Sequence, residues 1–381
     1  MWEFDFRGAG MAALSKRLLQ PGQRIRVLVV DDSVVIRRLV THALEQDPAL
    51  EVVGAASNGA IALQRIPQVN PDVLTLDIEM PEMDGLETLR RVRREYPQLR
   101  VIMFSTLTER GAAMTLQALS LGADDYVAKV SNEGSLDRSM RRLRDELVPK
   151  IKQFFHLPDQ SRPEPRSEPA PIAAAPPVWR ARPIFGNLKM RARVVVIGVS
   201  TGGPAALGAI LPQLPAGFPL PVLVVQHMPP LFTRFLAERL HATCRLPVGE
   251  ASDGASIDPG KILIAPGDYH MKVARGESRP RIWLDQSPPQ NSCRPAVDAL
   301  FVTVGEVYGG AAIAVVLTGM GQDGLRGAEV LKAYGASVLA QDEASSVVWG
   351  MPGAVANAGL ADRVLPLDQV VPEILRLVGG A

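Results

Sequence analysis

Short runs of β-branched and aliphatic residues, each stopping on a polar side chain, constrain this chain more than any other feature. Val194-Val195-Val196-Ile197 is the sharpest case: four β-branched residues in succession predict a buried strand, and the Ala/Leu-rich stretch from Ala205 to Leu211 predicts a helix directly after it. Between them, Gly198-Val199-Ser200-Thr201-Gly202-Gly203-Pro204 lifts a serine onto a strand-to-helix turn, where the first N–H groups of the helix face whatever the hydroxyl attacks. A plain βα turn also takes glycines, because its backbone needs positive φ. Gly-x-Ser-x-Gly alone therefore does not separate chemistry from structure.

The same alternation fills the N-terminal half. Arg26–Val30 ends on Asp31-Asp32-Ser33, Val73–Leu76 on Asp77, Val101–Phe104 on Ser105 and Asp125–Ala128 on Lys129; Val52–Ala55 is a further strand, and helical stretches such as Val34–Leu44 and Gly59–Ile66 intervene. Strands and helices in this order predict an α/β chain built on parallel, doubly wound sheets, whose ligand-handling side chains gather at the carboxyl ends of the strands. Residues 158–183, rich in Pro, Ala, Arg and Glu without apolar periodicity, read as an extended linker. The chain then divides into an extension (1–23), a first domain (24–148), a linker (149–190) and a second domain (191–381), a partition that a length of 381 residues comfortably fills.

Composition removes several functions. A net charge of +1 gives no reason to expect nucleic acid or an acidic membrane surface as partner, and no apolar run is long enough to insert into a bilayer. Met1–Gln20 lacks the pattern of an export signal, so a cytoplasmic location is expected. Cys244 and Cys293 have no metal-ligand spacing and read as ordinary reduced thiols. The arginine clusters at 90–94 and 138–144 read as solvated helix faces.

Asp31, Asp32, Asp77, Ser105 and Lys129 share one predicted sheet edge. One acid at a strand end is often a helix cap, but crowded carboxylates repel one another and call for a hard divalent cation such as Mg²⁺. A metal-bound carboxylate beside a hydroxyl and an ammonium group is suited to accept a phosphoryl group. Residues 24 to about 135 resemble a two-component receiver domain through Asp31-Asp32, the run Asp77-Ile78-Glu79-Met80-Pro81-Glu82-Met83-Asp84-Gly85, Ser105 and Lys129. The resemblance implies a flavodoxin-like five-stranded sheet, phosphorylation of Asp77 by a histidine kinase, and Mg²⁺ held by Asp31, Asp32, Asp77 and the Glu79 carbonyl. It also implies that Ser105, Tyr126 and Lys129 respond to the phosphate. Val130 stands where that family usually has proline.

In the second domain Pro221–Val225 ends on Gln226-His227, and Ala311–Leu317 leads to Thr318-Gly319-Met320-Gly321-Gln322-Asp323-Gly324. If these strands neighbour the one before Ser200, then Ser200, His227 and Asp323 converge as nucleophile, base and orienting acid. Each has a plainer alternative: a strand-end histidine satisfied in the core, an aspartate that starts a helix. The order Ser, His, Asp is not that of the α/β-hydrolases. With Ala265-Pro266-Gly267, Arg294-Pro295-Ala296-Val297-Asp298 and Gln341-Asp342-Glu343, these motifs resemble the chemotaxis-type protein-glutamate methylesterase and glutamine deamidase family over nearly the whole chain. That resemblance implies an oxyanion hole from the N–H groups of Thr201 and Met320, and no cofactor for catalysis. The implied substrates are γ-methyl glutamate esters and glutamines on chemoreceptors, with phosphorylation relieving obstruction of the cleft by the receiver. A receiver-controlled esterase of another substrate and a silent phosphorylation-dependent scaffold are the alternatives.

Overall fold

The computed structural model describes residues 22–129, 136–155, 191–277 and 279–379. The extension at 1–21, most of the linker and Val130 lie outside the described residues.

The first body is a five-stranded parallel sheet: β1 (Ile25–Val30), β2 (Leu50–Ala56), β3 (Val73–Asp77), β4 (Arg100–Ser105) and β5 (Asp125–Ala128), in spatial order β2-β1-β3-β4-β5. Its helices are α1 (Val34–Glu45), α2 (Gly59–Val69), α3 (Gly85–Glu95), α4 (Glu109–Ser120) and α5 (Leu136–Lys152). Every residue of β3 and β4 is buried, as the uninterrupted apolar runs require of strands covered on both faces. Ser33, Asn58, Asp84 and Thr108 cap α1 to α4 by accepting a backbone N–H two or three residues into the helix, the ordinary remedy for unpaired N–H groups at a helix start. Helix α5 and one 3₁₀ turn carry this body to Phe155, and Phe154 and Phe155 are buried in its core beyond the boundary expected at residue 148.

The second body is built on seven parallel strands: β6 (Val194–Val199), β7 (Val222–Gln226), β8 (Val248–Glu250), β9 (Ile262–Ile264), β12 (Ala312–Val316), β13 (Ser337–Gln341) and β14 (Arg363–Leu365). Their order is β14-β13-β12-β6-β7-β9-β8, and β10 (His270–Ala274) with β11 (Arg281–Asp285) forms a separate antiparallel pair. Helices α6 (Gly203–Ile210), α7 (Phe232–Thr243), α8 (Val297–Tyr308), α9 (Leu325–Ala333), α10 (Met351–Asn357) and α11 (Leu367–Gly379) complete it. The adjacency β12-β6-β7 is the one the sequence reading required, and it brings the three polar strand ends to a single edge.

The two bodies touch. Helix α4 packs on α6 and α7, and one set of buried apolar side chains runs from Leu28 and Leu76 in the first body to Val195 and Phe232 in the second. The Tyr126 and Phe232 rings stack across the boundary with centroids 4.9 Å apart and planes 9° from parallel. Among the described residues, no helix is long and apolar enough to cross a membrane.

Candidate active site and receiver site

Ser200 follows β6, and its turn tolerates no bulk. Gly202 has φ +78°, and a Cβ on Gly319 would lie 2.8 Å from the Ser200 Cβ, so glycine lets the β12 loop close on the nucleophile. No hydrogen bond from the Thr201 or Met320 N–H is formed among the described residues. Gln226 stiffens the turn by donating to the Ser200 carbonyl at 3.0 Å.

His227 donates from Nε2 to Asp323 Oδ2 at 2.8 Å. Asp323 is 2 % exposed, and its anion is well supplied with donors: Oδ2 also accepts the Val297 N–H, while Oδ1 accepts from Asp298 N, Gly324 N and Asn291 Nδ2. Val297 and Asp298 open α8, so the carboxylate sits on a helix N-terminus. The aspartate read as a possible helix start therefore caps the neighbouring helix as well as meeting the histidine. Burial pushes its pKa up, but the His227 bond and the backbone donors win and hold it below the usual 3.8. For His227, burial disfavours the cation, yet Asp323 and then Cys293 outweigh it and raise the imidazole above 6.5.

One expected contact is not formed. Among the described residues no hydrogen bond joins Ser200 Oγ to His227; the free Nδ1 instead faces Cys293 Sγ at 3.5 Å. Cys293, read from sequence as an ordinary thiol, is thus a member of the site. The residue types gave no sign of this, because the contact spans 66 positions.

A cleft of about 1490 Å³ opens over Ser200 and His227. Met320 and Cys293 line one side and Tyr126, Arg138 and Arg142 of the first body line the other. Thr201 Oγ1 donates to Asp125 Oδ2 at 2.8 Å in a buried contact, and an exposed Arg234–Glu109 pair at 2.7 Å also joins the two bodies. Arg138, Arg141 and Arg142 are exposed, as a solvated face requires, and all three border the cleft, whereas Arg93 of the other cluster is spent on Asp124, Leu99 O and Gly122 O.

At the edge of the first sheet, Asp31, Asp32 and Asp77 each offer an oxygen within 4.8 Å of the others. Lys129 Nζ lies 3.0 Å from Asp31 Oδ2 and 2.7 Å from Asp77 Oδ2, but neither buried oxygen completes a well-formed hydrogen bond. Burial, opposed by Lys129 and reinforced by Asp31, lifts the Asp77 pKa to about 6. Such an oxygen-only, charge-crowded set fits a hard divalent cation. Glu79 N approaches Asp77 Oδ1 at 3.4 Å, and the Glu79 side chain turns away to Arg110. Ser105 Oγ donates to Gly111 O at 3.1 Å, at the start of α4, and Tyr126 is 8 % exposed beneath Phe232.

Comparison with known proteins agrees with this division. The "CheB methylesterase" family matches residues 195–374 and the "response regulator receiver domain" family residues 27–141. A protein-glutamate methylesterase/protein-glutamine glutaminase of Trichodesmium erythraeum is 50 % identical over 93 % of this chain and 99 % of its own length. One from a Nocardioides species is 53 % identical over 92 % and 95 %. The crystal structure of the Thermotoga maritima CheB methylesterase catalytic domain is similar over 50 % of this chain and all of its own, at 46 % identity and a TM-score of 0.48.

Proposed function

The chain belongs to the CheB family of protein-glutamate methylesterase/protein-glutamine glutaminases that carry a receiver domain, and from that premise we propose a phosphorylation-released serine hydrolase acting on chemoreceptors. The observation that carries this is the His227–Asp323 pair at 2.8 Å, on the same strand edge as Ser200. Ser200 Oγ attacks the γ-carbonyl carbon of a methyl-esterified glutamate or a glutamine. With Nε2 committed to Asp323, Nδ1 is the nitrogen left to take the serine proton, which requires it to exchange Cys293 for Ser200 as its partner. The Thr201 and Met320 N–H groups then hold the oxyanion, and methanol or ammonia leaves with the proton from His227. Water, deprotonated by the same nitrogen, hydrolyses the acyl-serine to glutamate.

Asp77 is the phosphoryl acceptor, supplied by a histidine kinase. Asp31, Asp32, Asp77 and the Glu79 carbonyl would hold Mg²⁺, which would supply positive charge to offset that of a phosphoryl group on Asp77. Lys129 pairs with both Asp31 and Asp77, and Ser105 and Tyr126 respond to the change. Resting contacts through Tyr126–Phe232 and Asp125–Thr201 support a receiver that obstructs the cleft until it is modified.

Methanol release from a methylated chemoreceptor fragment tests the hydrolase. The wild-type chain is expected to release methanol and Ser200→Ala to release none. Because the base must be neutral and its pKa is raised, the rate should climb with pH beyond the range where an ordinary imidazole is already deprotonated. Absence of methanol from the wild type, or equal release from Ser200→Ala, would defeat this reading.

A further inference from the structure

Two buried carboxylates lie side by side behind His227, and only one has a role in the mechanism above. Asp298 is 5 % exposed, and Asp323 is its neighbour. The two cap each other's helices. Asp323 accepts the first N–H groups of α8, while Asp298 Oδ1 accepts Gly324 N at 3.0 Å and Gly327 N at 2.7 Å at the head of α9. Helix N-termini favour both anions, but like charges this close oppose one another. Burial, together with the Asp323 charge, accordingly raises the Asp298 pKa.

Asn291 resolves the conflict geometrically. Its Nδ2 lies 2.9 Å from Asp298 Oδ2 and 2.9 Å from Asp323 Oδ1. A primary amide has two N–H bonds, one for each carboxylate, and the reverse orientation would aim its oxygen at both anions. The backbone here has φ +50° at Asn291 and +63° at Ser292, a left-handed pair that asparagine adopts more readily than most residues. We propose that Asn291 is a positioning residue: its amide, shared by Asp298 and Asp323, keeps the second carboxylate from displacing the first and holds Asp323 ionised and aimed at His227. The inference rests on the triad reading and deepens it.

The titratable groups facing this cluster are His227 and Asp323 from the strand ends, Asp298 from α8, and Cys293 on the far nitrogen of His227. Arg326 and Glu329 of α9 line the outer cavity with Asn291. The test uses the full-length chain, methanol release from methylated receptor fragment, and two variants whose backbones accept positive φ. Asn291→Gly removes the clasp; kcat is expected to fall about tenfold to a hundredfold with KM unchanged. Asn291→Asp keeps the shape but sets a third carboxylate against two. Its rate relative to wild type should rise as pH falls from about 8 to about 6, because the protonated acid regains a donor. A purely structural role gives no such ratio, so a flat ratio overturns the proposal, as does full kcat in Asn291→Gly or a loss confined to KM, the mark of a substrate contact. Thermal melts check folding, and if Asn291→Gly unfolds the Asn291→Asp ratio decides alone. Ser200→Ala separates the two failures: an active Ser200→Ala sinks the triad, whereas an inert one with fully active Asn291 variants sinks only the clasp.

Discussion

Asp77 and Asp323 occupy equivalent places, each at the carboxyl edge of a parallel sheet and each 2 % exposed, yet their surroundings are opposite. Asp323 is met by four N–H donors and an imidazole, and its pKa is depressed. Asp77 has Asp31 beside it, an Oδ2 without a well-formed hydrogen bond, and a pKa raised to about 6. Under the proposed function the first carboxylate stays as it is through every turnover. The second has Lys129 at 2.7 Å but few donors and a like charge beside it, a setting that suits a cation and a new covalent bond. Fold alone does not distinguish a permanent charge from a changeable one; the count of donors around it does.

The sharpest way to break the comparison is Asp323→Asn. It preserves volume but removes the charge that stabilises the imidazolium, and methanol release should fall about 10⁴-fold. A loss of less than tenfold would mean that the satisfied carboxylate is only a helix cap. A smaller effect is expected from deleting residues 1–190. Freed of Tyr126 and Asp125, the second body should hydrolyse at least about thirtyfold faster than the intact unphosphorylated chain. An equal or slower rate in a fragment that circular dichroism shows to be folded would rule out obstruction. The smallest effect is on stability. Because folding raises the Asp77 pKa above its ordinary 3.8, the protonated form favours the folded state. That contribution is complete below the unfolded pKa and is lost as pH rises through about 6. Asp77→Asn, permanently neutral, should therefore be more stable than wild type by about 1–3 kcal/mol near neutral pH without metal. The gap should close in acid and shrink with added Mg²⁺. Thermal melts of both proteins check it, and a wild type at least as stable as the variant in metal-free neutral buffer would remove the contrast.

The strand ends were legible because a buried parallel strand announces itself as an aliphatic run and stops where the first polar side chain must meet a ligand or solvent. Ser200, His227, Asp31, Asp77 and Lys129 fall at such stops, and Asp323 lies in the glycine-rich loop that follows one. What escaped was whatever depends on how elements meet. Cys293 sits in a loop with no periodicity and reaches His227 only through the turn that carries it. Asn291 looks like any turn asparagine until two helices converge on it. Arg93 belongs to a basic run suited to solvent, yet Asp124 lies beneath it at 2.7 Å. Neither Thr201 nor Asp125 carries a local signal that they join across the two bodies.

The stacked pair Tyr126 and Phe232 has a consequence for background activity. Letting go of that contact wets two aromatic faces, at a cost of roughly 2–5 kcal/mol. If the receiver obstructs the cleft as proposed, that cost would by itself hold spontaneous opening to about one molecule in thirty or fewer. Trimming either ring would then raise the unstimulated rate of the enzyme without touching a reacting atom.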